Sequence, residues 1–317
     1  MDWSDSMNIL VLFSYGSLTS IDDVAGFYND IYHGTATEEN IAAGVKTYEA
    51  HGMADPLGAN TARVGRALVK KLTKESGEKW IVYVANHHTE PSIQTVAEEC
   101  IKLNPKRIAT FSLTPFDSLT GSNAYEKRFT KIFREENDQT KIVHVATYCD
   151  HDQFVEVLAD RAKTAYEWLP EAERKQAEIV FTVHSKPGVP KAHQTMIMQY
   201  ETLAKKVADS LPVKDYHLAY RSGKPLPQRW LGPDVLDVVD ELHAKNVPAV
   251  IFIEALSVIE NIEAIQEITT DAINKAKGLG MSAVQSEYLN DSADFVDALC
   301  DHLSVELQME TGAATIK

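Results

Sequence analysis

The sequence predicts an α/β protein of the doubly wound kind, with parallel sheets flanked by helices. Three observations carry that expectation. Short apolar runs alternate with longer amphipathic segments, the pattern of strands joined by crossover helices. The alternation runs through twice, with a break near residues 149–153. At 317 residues the chain can bury a sizeable core, as two domains or one large α/β unit.

The candidate strands are residues 8–14, 80–85, 107–113, 141–147, 178–183, 217–220 and 249–253. Helical patterns lie between them at 61–74, 90–103, 152–168, 193–210 and 235–245. The segment RWLGPDVLDVVDEL (229–242) reads as a helix start. Trp230 and Leu231 anchor it, Gly232-Pro233 turn the chain, and acids follow near the N-terminus, so capping is enough to explain it. A last amphipathic stretch, 292–310, predicts a closing helix with METGAATIK as a frayed tail. The expected domains are 1–150 and 151–317, the last helix being free to pack back on the first.

Composition excludes several classes. A hydrophobic fraction of 44% and a charged fraction of 24% are ordinary for a globular protein. A net charge of −15 argues against nucleic acid or an anionic membrane as the main partner. It also means that an anionic substrate would need a locally basic pocket. No stretch approaches the ~20 apolar residues of a membrane span, and MDWSDSMN lacks a basic leader. Cys100, Cys149 and Cys300 are far apart and form no CxxC pattern, which fits free thiols in a reducing compartment. A cytoplasmic protein is expected.

No GxGxxG follows the first strand and no GxxxxGK[ST] occurs, so a nucleotide would lack its phosphate cradle. Doubly wound sheets bind ligands beyond the C-terminal ends of their strands. That rule points to Tyr15, 86–90, 114–125, 184–187, 221–223 and an acidic ladder in ENIEAIQEITTD: Glu260, Glu263, Glu267 and Asp271. Steps of three or four residues put these acids on one side of a helix, where like charges repel by a few tenths of a kcal/mol per pair. A cation would offset that repulsion. The plainer reading is a solvated face, but Ile262, Ile265 and Ile268 interleave the acids. Hard oxygen ligands such as these suit a transiently held Fe²⁺ or Mg²⁺.

His184 ends another apolar strand, where an imidazole can bind a metal or accept a proton. His87 and His88 are adjacent on extended backbone and point opposite ways, so hydrogen bonding suits them better than shared ligation. Tyr15 is either a core aromatic or a phenol presented to a flat ligand or its metal.

Taken in order, these pieces resemble ferrochelatase, the family that inserts Fe²⁺ into a porphyrin. The resemblance runs over nearly the whole chain, from FSYGSLTSIDDVAGFYNDIYHG through YEAHGMADPL, HHTEP, LTPFDSLTGSNAYEKR, VFTVHSKP and YRSGKPLPQRWLGPDV to ENIEAIQEI. RWLGPDV is similar to the family's WLGP segment, VHSKP to AHSLP, and ENIEAIQEI to D/E-H-I-E-T-L-x-E. It implies two Rossmann-like, chelatase-type domains with a porphyrin cleft between them. The length, with no C-terminal cysteine cluster, resembles the short Gram-positive form, whose usual substrate is coproporphyrin III and whose product is coproheme.

By that resemblance His184 matches the essential histidine and Glu263 its partner glutamate, a catalytic and metal-handling pair. Glu267 and Asp271 match acids continuing along a π-type segment as a metal or proton relay. Tyr15 matches a tyrosine that approaches the porphyrin metal. Ser118, Tyr125, His88 and Trp230 match substrate-lining positions. The implied partners are porphyrin and ferrous iron, both substrates. No tightly bound cofactor and no iron–sulfur cluster is expected, Mg²⁺ is an ion the ladder could hold, and a monomer is expected.

The departures from the family pattern cluster. Its basic residues before the first-domain glycine are here Tyr32 and His33, an expected arginine is Thr47, and Asp55 replaces a serine in GMADPL (52–57). Asn261 replaces a histidine and Lys186 a leucine. A charge-assisted hydrogen bond to a carboxylate is worth roughly 1.5–3 kcal/mol, so losing two weakens propionate binding by several decades unless others replace them. His33, Lys46, Arg221 and Lys224 are the candidate replacements, and Asp55 would repel a propionate. The expected function is iron insertion into coproporphyrin III. The alternatives are protoporphyrin IX or another divalent metal, and a non-catalytic tetrapyrrole or heme binder.

Overall fold

The computed structural model describes residues 7–52, 54–137, 139–213, 215–223 and 230–313, with side chains as far as Gln308. Met53, Lys224 and Arg229 lie outside these residues. The chain divides into two compact units. The first comprises the described residues of Met1–Leu113, Ser118–Tyr148 and Asn290–Lys317; the second comprises those of Thr114–Asp117 and Cys149–Leu289.

The first unit holds a sheet of β1 (Met7–Ser14), β2 (Lys79–Asn86), β3 (Arg107–Ser112) and β4 (Lys141–His144), all parallel, in the order β2-β1-β3-β4. Every residue of β1 is buried, as expected for a central strand covered on both faces. Its helices are α1 (Val24–Ile31), α2 (Glu38–Ala50), α3 (Pro56–Ser76), α4 (Ile93–Leu103) and α5 (Ser122–Glu136). Ile9, Val11 and Phe13 of β1 pack with Val96 and Cys100 of α4 and with Phe129 and Phe133 of α5.

The second unit repeats this plan. Its strands are β5 (Glu178–His184), β6 (Asp215–Arg221), β7 (Ala249–Glu254) and β8 (Ser282–Gln285), parallel, in the order β6-β5-β7-β8. Around them lie α6 (Asp152–Trp168), α7 (Glu171–Arg174), α8 (Gln194–Ala208) and α9 (Val235–Ala244). Next comes α10 (Ile262–Ala264), which runs through a π-helical segment (Ile265–Ala272) into α11 (Ile273–Gly278). In both sheets the second strand in sequence lies on one side of the first and the third on the other. That reversal is where doubly wound sheets gather ligands. α12 (Ala293–Ala313) closes the chain within the first unit, where Cys300 and Ser304 meet Glu75 of α3.

Local chemistry sets the element ends. α3 starts at Pro56, earlier than the periodicity suggests, because Asp55 caps it by accepting the Leu57 N–H at 3.0 Å. α4 starts at Ile93, three residues later than expected, because Pro91 precedes the Ser92 cap. α12 continues through Met309 to Ala313, into the stretch expected to fray. The strands from Arg107 and Lys141 end earlier than expected, at Ser112 and His144.

The sequence reading missed α1, α2, α5, α7, α11 and β8. In α2 only Gly44 and Tyr48 are buried, which is too thin a stripe to read. β8 is a four-residue edge strand, SAVQ, with one fully buried residue. The signal for α5 was present, since Tyr125, Phe129 and Phe133 recur every four residues and all are buried.

Candidate active site

Strand register builds the center of the second unit. His184, the last residue of β5, lies opposite Arg221, the last of β6, while Thr182 lies opposite Glu254, the last of β7. Because β5 runs between β6 and β7, Arg221 reaches past it to Glu254, with Nε donating to Oε2 at 2.9 Å. Thr182 donates to the same oxygen at 2.7 Å, and the Leu256 and Ser257 N–H groups donate to Oε1. Arg221 and Glu254 are almost fully buried, at 1% and 2% side-chain exposure.

The ladder joins this pair from the other side. Asn261 caps its helix by accepting the Ala264 N–H at 2.9 Å, and the backbone then widens into the π segment. Helices of that type occur often at functional sites. Arg221 Nη1 donates to Glu267 Oε2 at 2.5 Å and lies 3.8 Å from Glu263 Oε2. The Ser222 hydroxyl holds the second oxygen of Glu267 from a left-handed backbone position, φ 55°. Asp271 sits one step further along, exposed, accepting from the Gln266 amide at 2.8 Å.

The cation that the ladder's repulsion calls for is therefore a guanidinium. Arg221 shares its charge among Glu254, Glu267 and Glu263. This corrects the expectation that Arg221 is free to hold a propionate. It bears on Mg²⁺ as well. Both Glu267 oxygens are engaged, and among the described residues no three His, Cys, Asp or Glu side chains are grouped to hold a metal. The donors as arranged do not form a resident Mg²⁺ cage.

His184 faces the ladder with a defined polarity. Its Nδ1 is 2.6 Å from the Ser185 carbonyl, which can only accept, so Nδ1 carries the hydrogen. Nε2 is thus the nitrogen free to gain or lose a proton, and it points at Glu263 Oε1, 3.4 Å away. The Trp230 ring stands edge-on to the imidazole at 6.1 Å.

The two glutamates are driven apart in acidity. Enclosure pushes the Glu263 carboxyl up, but His184 foremost, then Arg221 and Lys186, outweigh it and hold the group well below the usual carboxylate range. Water still reaches 57% of that side chain, so its ion pairs add little stability. Burial dominates at Glu267 and raises it; Arg221 opposes and the Glu263 charge adds. An ionised carboxylate thus lies next to the imidazole, with a more readily protonated one behind it.

The first unit gathers a different set. Ser14 at the end of β1 pairs with Asn86 of β2, and the His87 and His88 N–H groups donate to the Ser14 and Tyr15 carbonyls. That extension puts the Tyr15 ring 4.5 Å from His88 and 6.0 Å from Phe27, both edge-on. Tyr15 is 44% exposed. Gly16 turns the chain at φ +113°, where a Cβ would lie 2.8 Å from Thr89 Oγ1. His88 Nδ1 meets Asp30 Oδ2 at 2.5 Å. Burial pulls His88 down, against Asp30. Burial, with the His88 charge adding, takes His87 down to about 4. His87 lies 4.7 Å from Tyr125, whose hydroxyl burial pushes up.

Sequence reasoning put all of these residues at one cleft, Tyr15 with the metal-handling set and Trp230 with the substrate-lining one; the structure groups His184, Glu263, Glu267 and Trp230 in the second unit and Tyr15, His88 and Tyr125 in the first. Ser118 lies on the turn that leads into α5, with its Oγ buried and, among the described residues, unpartnered. His33 is an exposed left-handed residue, φ 51°, beyond the end of α1. Asp55 is a helix cap, its charge turned to the α3 N-terminus.

Glu254 and Asp30 were missed, while Ser222 was pointed to only as part of the strand-end stretch 221–223. A charged residue ending a buried run, as Glu254 ends AVIFIE, is the signal that could have found the first. Asp30 left no comparable mark.

A twofold-repeated parallel α/β plan, with an imidazole and graded carboxylates beyond its strand ends, defines a chelatase-type protein. A family model for ferrochelatase matches residues 10–307, and the chain belongs to that family, whose members are porphyrin metal chelatases, classed as lyases. Similar curated proteins include a ferrochelatase of Herpetosiphon aurantiacus, 26% identical over 92% of this chain and 96% of that one. A coproporphyrin III ferrochelatase of Bacillus subtilis is 27% identical over 92% and 95%. One of Mycobacterium marinum is 28% identical over 87% and 80%. Among solved structures, SirB from Bacillus subtilis with Fe³⁺ aligns with a TM-score of 0.60 over 97% of this chain and 98% of that one, at 13% identity. That likeness supports the fold. Among the described residues no helix is long and apolar enough to cross a membrane.

Proposed function

We propose that this chain inserts Fe²⁺ into coproporphyrin III to give coproheme, with His184 and Glu263 as the catalytic pair. The observation that carries the reading is His184 Nε2 facing Glu263 Oε1 at 3.4 Å beside a buried counter-charge. Metallation releases two pyrrole protons as iron enters. A saddled macrocycle exposes its nitrogen lone pairs, the strain being offset by binding elsewhere on the ligand.

In this reading Nε2 takes up the protons, since Nδ1 is committed to the Ser185 carbonyl. The ionised Glu263 stabilises the imidazolium that forms, and Glu267, the more basic carboxylate, takes up the proton and passes it on to exposed Asp271 and solvent. The same carboxylates suit delivery of iron in the opposite direction. Tyr15, with His88 and Tyr125 behind it, offers a ring face suited to a flat ligand, and Ser118 and Trp230 are further contacts. The relatives named for coproporphyrin III support that choice of porphyrin. The chain acts as a cytoplasmic monomer.

The test is anaerobic Fe²⁺ insertion, followed by absorbance, with coproporphyrin III and protoporphyrin IX in parallel. Turnover on coproporphyrin III, lost in H184A and E263Q, is the expected result. Binding without turnover on either porphyrin would overturn the reading, and faster turnover on protoporphyrin IX would move the specificity.

A further inference from the structure

We propose that Lys186 is a specificity-determining residue, its ammonium receiving a peripheral carboxylate of the tetrapyrrole. The inference deepens the proposed function and rests on it.

The loop that carries Lys186 is pinned on both sides. Its carbonyl accepts the Leu231 N–H at 3.0 Å, and the preceding Ser185 hydroxyl donates to the Leu231 carbonyl at 2.6 Å. The following Pro187 bridges to Trp230, and its carbonyl is 2.9 Å from His193 Nε2. The backbone is therefore fixed two residues beyond His184, while among the described residues the half-buried Lys186 side chain makes no hydrogen bond or ion pair. Glu263 attracts it and Arg221 repels it. It thus stands beside the catalytic acid without being neutralised by it.

The other cationic groups described here are committed. Arg221 is held by Glu254, Ser257 and Glu267, and His184 is turned between Ser185 and Glu263. A partly desolvated ammonium lacking an acceptor is unfavourable until an anion arrives. In a protein of net charge −15 an incoming tetracarboxylate needs such a point of attraction. Lysine stands where the motif this loop resembles has leucine, so the charge is a feature of this chain.

The experiment compares the wild-type chain with K186L, K186Q and K186R. Iron-free coproporphyrin III and its tetramethyl ester are titrated by fluorescence, and kcat and KM for iron insertion are measured alongside. K186L and K186Q should raise Kd and KM for the free acid about 10- to 100-fold, the range of a lost charge-assisted hydrogen bond, with kcat nearly unchanged. K186R should keep most of the affinity, and ester binding should be indifferent to all three. Unchanged free-acid Kd in K186L and K186Q would overturn the inference, and so would a fall in kcat alone. Wild-type protein that binds the free acid but inserts no iron sinks the proposed activity, while the comparison of Kd values still decides the role of Lys186.

Discussion

The ends of β5, β6 and β7 in the second unit and the end of β1 in the first occupy equivalent places in two copies of one sheet plan, yet they hold opposite chemistry. In the second unit a buried arginine sits among three carboxylates beside an imidazole. In the first, the rings of Tyr15, Phe27, His87, His88 and Tyr125 pack edge-on or tilted, with Asp30 as the carboxylate that meets them. For the reaction proposed above, the contrast separates two demands. Moving protons and a divalent ion needs groups of graded acidity held against a fixed charge, whereas gripping a flat macrocycle needs ring faces.

The largest effect should come from the second unit. H184A or E263Q should lower iron insertion about 10²- to 10⁴-fold, the usual range for a removed general acid–base group, with porphyrin binding largely kept. Equal losses from Y15F would erase the division of labor. Stability comes next. Arg221→Met strands Glu254 at 2% exposure, so unfolding in urea should show a loss of about 3–5 kcal/mol.

A pH series separates the units. The native His87 pKa of about 4 lies below the ~6.5 of an unfolded histidine. Its share of stability is therefore complete above ~6.5 and declines as pH falls toward 4, because the unfolded chain takes a proton that the native one refuses. Glu263 has a depressed carboxylate pKa, so its share is present above the unfolded value of ~4.3 and is lost only at more acid pH. Urea midpoints between pH 7 and 5 should fall for wild type and flatten in H87F; an unchanged slope in H87F would break this assignment. The smallest effect is expected from D30N. Asp30 is 59% exposed, so its pair with His88 should contribute under ~1 kcal/mol, which a double-mutant cycle with H88Q would measure.

What the sequence determined by itself is everything local in period. Alternating apolar runs and amphipathic stretches located seven of the eight described strands, and motif order singled out His184, Glu263 and Glu267. Spacing also put the acids on one helical face. Backbone geometry repeats over a few residues, so such features are written next to one another in the chain.

The tertiary structure decided how the charges are neutralised. Nothing near Glu263 in the sequence names Arg221 as its counter-charge. Only the order β6-β5-β7 brings that guanidinium to Glu254 and the ladder, 33 and 46 residues away from Glu254 and Glu267. The same holds for Asp55, which reads as a repulsive carboxylate and serves as a helix cap, and for Lys186, whose lack of a partner among the described residues is visible only in three dimensions. A side chain's charge belongs to its residue type, but its electrostatic role depends on what the fold places within a few ångströms of it.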